Sequence, residues 1–217
     1  MLIVFDLDGT LIDSRLDLAE STNEMLASYG APALPIDRAA MMVGEGARKL
    51  VERALAASGL DPAEPDALAR FRRIYDRRLL LNTRPYPGVP EMLAQVRTLG
   101  PLAVLTNKPG EPTRALLDAF DLSSSFRRVI GGDSPYPRKP DPAGLQALMA
   151  QFDSAAETTW LVGDSMIDVE TARRAGTRAC VVLYGFGQLR GELVLDGRES
   201  QAKTAADVTR ILSGNIL

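Results

Sequence analysis

Two aspartates, Asp6 and Asp8, stand two residues apart directly after the apolar run LIVF. Alternate side chains of an extended strand point to the same face, so these two carboxylates would emerge together and repel each other. A placement with that electrostatic cost indicates a chemical use for a pair of acids.

Other polar residues follow other apolar runs of the chain. In an open parallel sheet, ligands bind outside the carboxyl ends of the strands, where residues that follow separate strands meet. The sequence therefore predicts one crevice that collects seven side chains: Asp6, Asp8, Thr106, Asn107, Lys139, Asp164 and Asp168.

Four carboxylates in one crevice are costly unless a cation joins them, and hard oxygen ligands suit Mg²⁺. With the metal present, a phosphate monoester can approach despite its own charge. Lys139, the Thr106 hydroxyl and the Asn107 amide would bind its oxygens, together with backbone N–H groups that follow Asp6.

The paired acids suit two different steps of phosphate ester hydrolysis. Asp6 could attack phosphorus, because a carboxylate needs no base to activate it and aspartyl-phosphate intermediates are an established class. Asp8 could protonate the leaving alkoxide and afterwards take a proton from the hydrolytic water.

Composition narrows the alternatives. The chain has no histidine, which excludes Ser-His-Asp and Cys-His systems. Its net charge of −3 comes with scattered basic residues, so no nucleic-acid partner is expected. Cys180 is the one cysteine and lies in the apolar run RACVVLYG, which predicts a buried strand thiol in a reducing compartment. No targeting segment or membrane span is expected, and the predicted location is cytoplasmic.

Strands covered on both faces are predicted by apolar runs with little alternation, and helical patterns separate these runs. Their order predicts an α/β fold, a Rossmann-like doubly wound parallel sheet with crossover helices on both sides. The predicted strands are LIVFD (2–6), LAVLT (102–106), RVIGG (128–132), TWLVG (159–163) and ACVVLYG (179–185).

About 70 residues after the first strand contain no convincing strand. Ser14 and Asp17 suggest the start of a helix, with Ser14 as its N-cap. Two more amphipathic helices are expected, one around residues 47–55 and one from about 65 to 81. The predicted organisation is an α/β core of residues 1–14 and 85–217, with residues 15–84 inserted as a helical cap.

Simpler explanations exist for single motifs. Asp-Gly is a common turn pair, Thr106 and Asn107 could cap the next helix, and Lys139 could be a solvated loop lysine. Asp164 could be only a helix N-cap, and Asp168 could be an ordinary acid of a first helical turn. The set of motifs in order is what favours a catalytic site.

The segments FDLDGTLIDS, LTNKP, RKPDP and VGDSMID resemble the four motifs of the haloacid dehalogenase superfamily and occur in the same order. The resemblance implies that Asp6 is the nucleophile and Asp8 the acid-base. It also implies Mg²⁺ held by the Asp6 carboxylate, the Asp8 carbonyl and Asp164, with Asp168 in or beside the metal shell. Asp8 counts against the dehalogenases and the phosphonate hydrolases, which lack this second aspartate.

Within the superfamily, MMVGEGARKLVERAL, YPGVPEML, VIGGDS and VLYGFG are similar to segments of phosphoglycolate phosphatases. The resemblance implies 2-phosphoglycolate as substrate. Gly44 and Gly46 would let the cap loop enter the crevice, and Arg48 would meet the substrate carboxylate.

Other functions stay open from the sequence. The same core could hydrolyse a nucleotide, a sugar phosphate or pyrophosphate, transfer phosphoryl groups as a β-phosphoglucomutase does, or bind phosphate without catalysis. The expected partner is a small phosphorylated metabolite, with no nucleic acid or membrane, and the chain could be a monomer or a homodimer.

Overall fold

The computed structural model describes residues 1–187 and 193–214. Six parallel strands form its main sheet, and a two-stranded antiparallel sheet stands beside it. The strands are β1 (Leu2–Phe5), β2 (Ile12–Asp13), β3 (Arg84–Pro85), β4 (Leu102–Leu105), β5 (Arg128–Ile130), β6 (Thr159–Gly163), β7 (Arg178–Val182) and β8 (Ser200–Ala202).

From β3 to β7 the helices alternate with these strands, as a doubly wound fold requires. They are α1 (Arg15–Ala27), α2 (Ile36–Ala40), α3 (Ala47–Ala57), α4 (Ala67–Arg78), α5 (Val89–Val96), α6 (Gly110–Ala119), α7 (Ala143–Gln151), α8 (Met166–Ala175) and α9 (Ala205–Ser213). None of the helices in the described ranges is long and apolar enough to cross a lipid bilayer.

The main sheet has the order β5-β4-β1-β6-β7-β8, with β1 near its centre. Both faces of β1 are buried. Ile3 and Phe5 pack in one apolar cluster with α5 and α9, while Leu2 and Val4 pack in another with α7 and α8. This alternation confirms the predicted α/β sheet covered on two sides, and it places the ends of β1, β4 and β6 side by side.

The five predicted strands of this sheet are present, and each ends at its predicted end or up to three residues before it. The strands β2, β3 and β8 and the helices α2 and α9 were not predicted. Cys180 is buried in β7 as expected, and burial raises the pKa of its thiol to about 12.

Helices α1 to α4 all lie between β2 and β3, and α1, α3 and α4 share an apolar cluster of their own. We call residues 15–78, which carry these helices, the helical insert. The strands β2 and β3 pair with each other, so the chain leaves for the insert and returns from it at neighbouring positions. One residue from the core side, Phe186 after β7, is buried in the cluster of the insert. The division into two domains with boundaries at 15 and 84 stays a prediction.

The predicted N-cap of α1 is wrong in its chemistry. Ser14 precedes the helix, but its hydroxyl makes no capping bond and instead donates to the Asp8 carboxylate at 2.6 Å. Asp17 does lie in the first turn of α1, as predicted, and it is fully buried. Its carboxylate accepts hydrogen bonds from the backbone N–H groups and side chains of Asn82 and Thr83, which follow α4.

We expect Asp17→Asn to lower the free energy of unfolding by about 2–3 kcal/mol at pH 7, because an amide places donors against donors at a buried position. Burial by itself would raise the pKa of Asp17, but the hydrogen bonds from Asn82 and Thr83 outweigh it and lower the pKa. The stabilisation by Asp17 is therefore complete above its unfolded pKa of about 3.9 and is lost as the pH falls through the folded value.

Urea unfolding of wild type and Asp17→Asn at pH 7 and at about pH 3 tests this expectation. The difference between the two proteins should shrink at the lower pH. Asp66→Asn, an exposed acid before α4, is the matched control and should change little at either pH. Equal destabilisation by both substitutions would contradict the assigned role.

Candidate active site

A cavity of about 310 Å³ lies between the carboxyl end of the main sheet and the helical insert. From the core side it is lined by residues that follow β1, β4 and β6, and from the other side by residues of α3, α4 and the loop before α3. The predicted site residues among its lining are Asp6, Asp8, Gly44, Gly46, Thr106, Asn107 and Asp164.

Asp6 is the first residue after β1, and its backbone N–H donates to the Val162 carbonyl of β6. Its carboxylate forms an ion pair with the Lys139 ammonium, with 2.9 Å between Asp6 Oδ1 and Nζ. Burial raises the pKa of Asp6 to about 6, while Lys139 opposes this shift and Asp168 adds to it.

Lys139 is buried beneath Asp6 and also donates to Asp168 Oδ1 at 2.5 Å. Burial alone would lower the pKa of this ammonium, but the charges of Asp168 and Asp6 outweigh burial and raise it. Lys139 is therefore a fixed positive charge behind Asp6, and it is not a solvated loop lysine.

Asp168 lies in the first turn of α8 and is occupied on both oxygens. Oδ1 accepts from Lys139, and Oδ2 accepts from the backbone N–H and the hydroxyl of Ser165. Asp168 is thus the first-turn acid of α8, as the simpler explanation had it, and the contact with Lys139 adds a second role.

Asp164 follows β6 and is also buried. One carboxylate oxygen, Oδ2, accepts from the Gly187 backbone N–H at 2.7 Å. Burial raises the pKa of Asp164 well above its ordinary value, and the charges of Asp168 and Asp6 add to the shift. Gly9 fits closely against this carboxylate, since a Cβ at its φ of +87° would lie 2.1 Å from Asp164 Oδ2.

A metal ion fits the acids that surround this point. Asp6, Asp164 and Asp168 each bring a carboxylate oxygen within 4.8 Å of the others. Burial raises the pKa of Asp6 and Asp164, and the charge of Asp168 adds to both shifts. A hard divalent cation would offset the repulsion between these carboxylates.

The Asp8 carboxylate is held by partners other than Lys139. Its carboxylate accepts from the Ser14 hydroxyl and from Lys108, whose Nζ lies 3.2 Å from Oδ1 and 3.1 Å from Oδ2. Lys108 also donates to the Tyr75 hydroxyl of α4 at 2.6 Å. Neither Lys108 nor Tyr75 was predicted to belong to the site.

Thr106 and Asn107 follow β4. The Thr106 hydroxyl accepts from the Lys108 backbone N–H, so its own proton can be donated to a ligand. The Asn107 amide already donates to the backbone carbonyls of Gly44 and Lys139, which joins the loop before α3 to the core. Asn107 therefore supports this loop and does not present a free amide N–H to a phosphate.

Gly46 meets the core closely, with a φ of +90° and a Cβ position 3.3 Å from the Asn107 carbonyl oxygen. Arg48 lies in the first turn of α3 and is exposed, and it does not line the cavity. Two other arginines, Arg72 and Arg138, do line it. The position of Arg48 therefore does not support its predicted contact with a substrate.

The parallel sheet, the acidic crevice and the buried lysine agree with the family to which the sequence belongs. Residues 3–182 match the haloacid dehalogenase-like hydrolase family. The chain belongs to this family and is a phosphoric monoester hydrolase.

Its relatives narrow the class further. The chain is 42% identical over 195 residues to phosphoglycolate phosphatase 1 of Pseudomonas aeruginosa, covering 87% of this chain and 71% of that protein. It is 42% identical over 188 residues to the phosphoglycolate phosphatase of Caulobacter vibrioides, covering 85% of this chain and 79% of that one. A crystal structure from Haemophilus somnus, described as a predicted phosphoglycolate phosphatase, superimposes with a TM-score of 0.85 at 30% identity, over 97% of this chain and 96% of the other.

Proposed function

We propose that this phosphatase hydrolyses 2-phosphoglycolate to glycolate and phosphate, with Mg²⁺ and through an aspartyl-phosphate on Asp6. The observation that carries the proposal is the arrangement of Asp6, Asp8 and Asp164 at the base of one cavity, with Lys139 behind Asp6. The substrate is taken from the names of relatives that are 42% identical.

Mg²⁺ would be held by the carboxylates of Asp6 and Asp164 and by the Asp8 carbonyl. When bound, it would offset the charge of the acids and polarise the phosphoryl oxygens. Asp168 is occupied by Lys139 and Ser165, so its role is to orient these groups beside the metal.

The residues of the chain divide the reaction between them. The Asp6 carboxylate attacks phosphorus, and Lys139 holds Asp6 in place while its charge attracts the phosphoryl group. The Thr106 hydroxyl can donate to a phosphoryl oxygen. Asp8 donates a proton to the departing glycolate oxygen and then accepts one from the water that hydrolyses the aspartyl-phosphate.

The helical insert would act as a cap over this reaction. Its residues Phe71 and Leu50 line the cavity opposite Asp6, so the insert limits the room for a leaving group and excludes water from it. We propose residues 15–84 as this cap domain and the rest of the chain as the catalytic core.

Phosphate release from a set of phosphate esters, with Mg²⁺ and again with excess chelator, tests the proposal. We expect turnover to be strongest on 2-phosphoglycolate and to be lost on chelation, because buried like charges would otherwise repel the substrate. Restoring Mg²⁺ should restore the rate.

Each of the other outcomes would count against a defined part of the proposal. A stronger reaction on a nucleotide or a sugar phosphate would remove the substrate assignment and leave the reaction class. Full activity in chelator would remove the metal from the mechanism. Conversion of a sugar phosphate into its isomer, without phosphate release, would indicate phosphoryl transfer within the substrate.

A further inference from the structure

A second buried lysine faces the cavity, and the mechanism above does not use it. The side chain of Lys108 is 4% exposed, yet Lys108 is among the residues that line the cavity. Lys139 is equally buried, but it does not line the cavity. Lys108 is thus the buried cation that an incoming anion can reach.

Lys108 is oriented from both sides of the cavity. Its ammonium lies 3.1 and 3.2 Å from the two Asp8 oxygens, which is long for a charge-assisted hydrogen bond of about 2.7–2.9 Å. A further anion can therefore share this ammonium while the contact with Asp8 persists. The bond to Tyr75 fixes the side chain beforehand, which reduces the entropy lost on binding.

Tyr75 supplies a second donor at the same place. Its hydroxyl oxygen accepts a hydrogen bond from Lys108. Within the described residues its own O–H donates to no other group. The ring stacks on Phe71, which also lines the cavity. An ammonium N–H and a phenol O–H therefore stand together, and they suit the two oxygens of a carboxylate.

The position of this pair relative to Asp8 sets the size of the ligand. If Asp8 protonates the leaving oxygen of the ester, that oxygen lies against the Asp8 carboxylate, and Lys108 contacts the same carboxylate. A negative group one carbon away from the ester oxygen would then reach Lys108 and Tyr75. In 2-phosphoglycolate, one methylene separates the ester oxygen from the carboxylate.

The arginines that line the cavity are less suited to this task. Arg72 is exposed, and Arg138 is exposed with its Nε donating to the Gly132 carbonyl. Solvent screens exposed charges strongly, whereas a buried ammonium keeps most of its attraction for an anion.

We propose that Lys108, held by Tyr75, binds the carboxylate of the substrate and so selects phosphate esters that carry an acid one carbon from the ester oxygen. This inference rests on the proposed phosphatase function. It makes Lys108 a specificity-determining residue of the core, and it makes the carboxylate site depend on α4 of the helical insert.

The test compares 2-phosphoglycolate with 2-hydroxyethyl phosphate, in which a hydroxymethyl group replaces the carboxylate. Wild type should prefer 2-phosphoglycolate in kcat/KM, and Lys108→Met should reduce that preference by about 100-fold. Tyr75→Phe should reduce it by about 10-fold, since only one neutral donor is lost. The ratio between substrates is the readout, because a loss of Asp8 positioning would slow both.

Matched controls are available for both substitutions. Lys203→Met changes an exposed lysine before α9, and Tyr29→Phe removes a hydroxyl of the insert that lies outside the cavity lining. Neither should alter the preference. Circular dichroism of each variant should match wild type.

An unchanged preference in both Lys108→Met and Tyr75→Phe would overturn the inference, even if both variants turn over more slowly. The same conclusion follows if Arg72→Ala removes the preference and Lys108→Met does not. In either case a wild type that still hydrolyses 2-phosphoglycolate leaves the proposed function standing. A wild type that hydrolyses neither ester would overturn both proposals.

Discussion

Asp6→Asn should abolish phosphate release from 2-phosphoglycolate, with kcat reduced by at least about 10⁴-fold. The amide is a poor nucleophile and cannot form the aspartyl-phosphate, while its shape lets the loop after β1 keep its backbone bond to Val162. Initial rates at saturating Mg²⁺ measure the loss. Rapid acid quench of wild type during turnover should trap protein heavier by one phosphoryl group, and the variant should show no such species.

Asp121→Asn is the matched control for this substitution. Asp121 is exposed and has a left-handed φ of 57°, which asparagine also tolerates, so activity should stay near wild type. Turnover within tenfold of wild type by Asp6→Asn would falsify the nucleophile assignment. A phosphorylated species in Asp6→Asn would place the nucleophile elsewhere.

The second large effect is expected from Asp8→Asn, with kcat on 2-phosphoglycolate reduced by about 10³-fold. Asparagine can still accept hydrogen bonds from Ser14 and Lys108, so the fold should persist while proton transfer is lost. The reduction in kcat/KM should be smaller on an aryl phosphate, because a phenolate leaves without being protonated. Steady-state kinetics on both esters measures the difference.

The comparison between the two esters separates proton transfer from simple damage. Equal losses of kcat/KM on alkyl and aryl phosphates would contradict the acid role of Asp8. Lost secondary structure in the variant would be visible by circular dichroism, and Asp121→Asn again provides the reference.

The main sheet could be predicted because its strands are buried on both faces. Runs such as LIVF and LAVL have no polar position, and only a sheet between two helical layers buries all of their side chains. The strand β8 could not be found in this way. Its sequence, SQA, is three residues long and mostly polar, because it lies at the edge of the sheet where one side of the ladder is unpaired.

The core of the site could be predicted because parallel strands end at the same edge. From this rule alone Asp6, Asp164 and Thr106 could be predicted to share one site, and they line the same cavity. The pair of Lys108 and Tyr75 depends on how α4 lies against the loop after β4, which brings together side chains 33 residues apart. The segment LTNKP did contain a signal for Lys108. Lys108 directly follows Thr106 and Asn107 at the end of a strand, so it could have been predicted as a site residue on the same grounds.

Helical periodicity could not exclude Arg48 from the cavity. Leu50, Val51, Ala54 and Leu55 form the buried face of α3. At about 100° per residue, Arg48 lies roughly 60° from Val51 and roughly 20° from Leu55, so the pattern alone does not place it away from that face. The glycines before α3 do approach the core, whereas the helix that follows turns Arg48 towards solvent.

The pairing of β2 with β3 also determines how the length of the segment between them affects folding of the main sheet. These strands close residues 14–83 into a loop whose two ends are hydrogen-bonded neighbours, and Asp17 ties the same ends together again one turn further on. Once this loop has closed, the conformational entropy lost when β1 pairs with β4 is that of joining two strands through a much shorter connection. Insertions and deletions between the two strands would therefore cost the sheet little, so this lineage of enzymes could change what covers the cavity without moving the acids at its base.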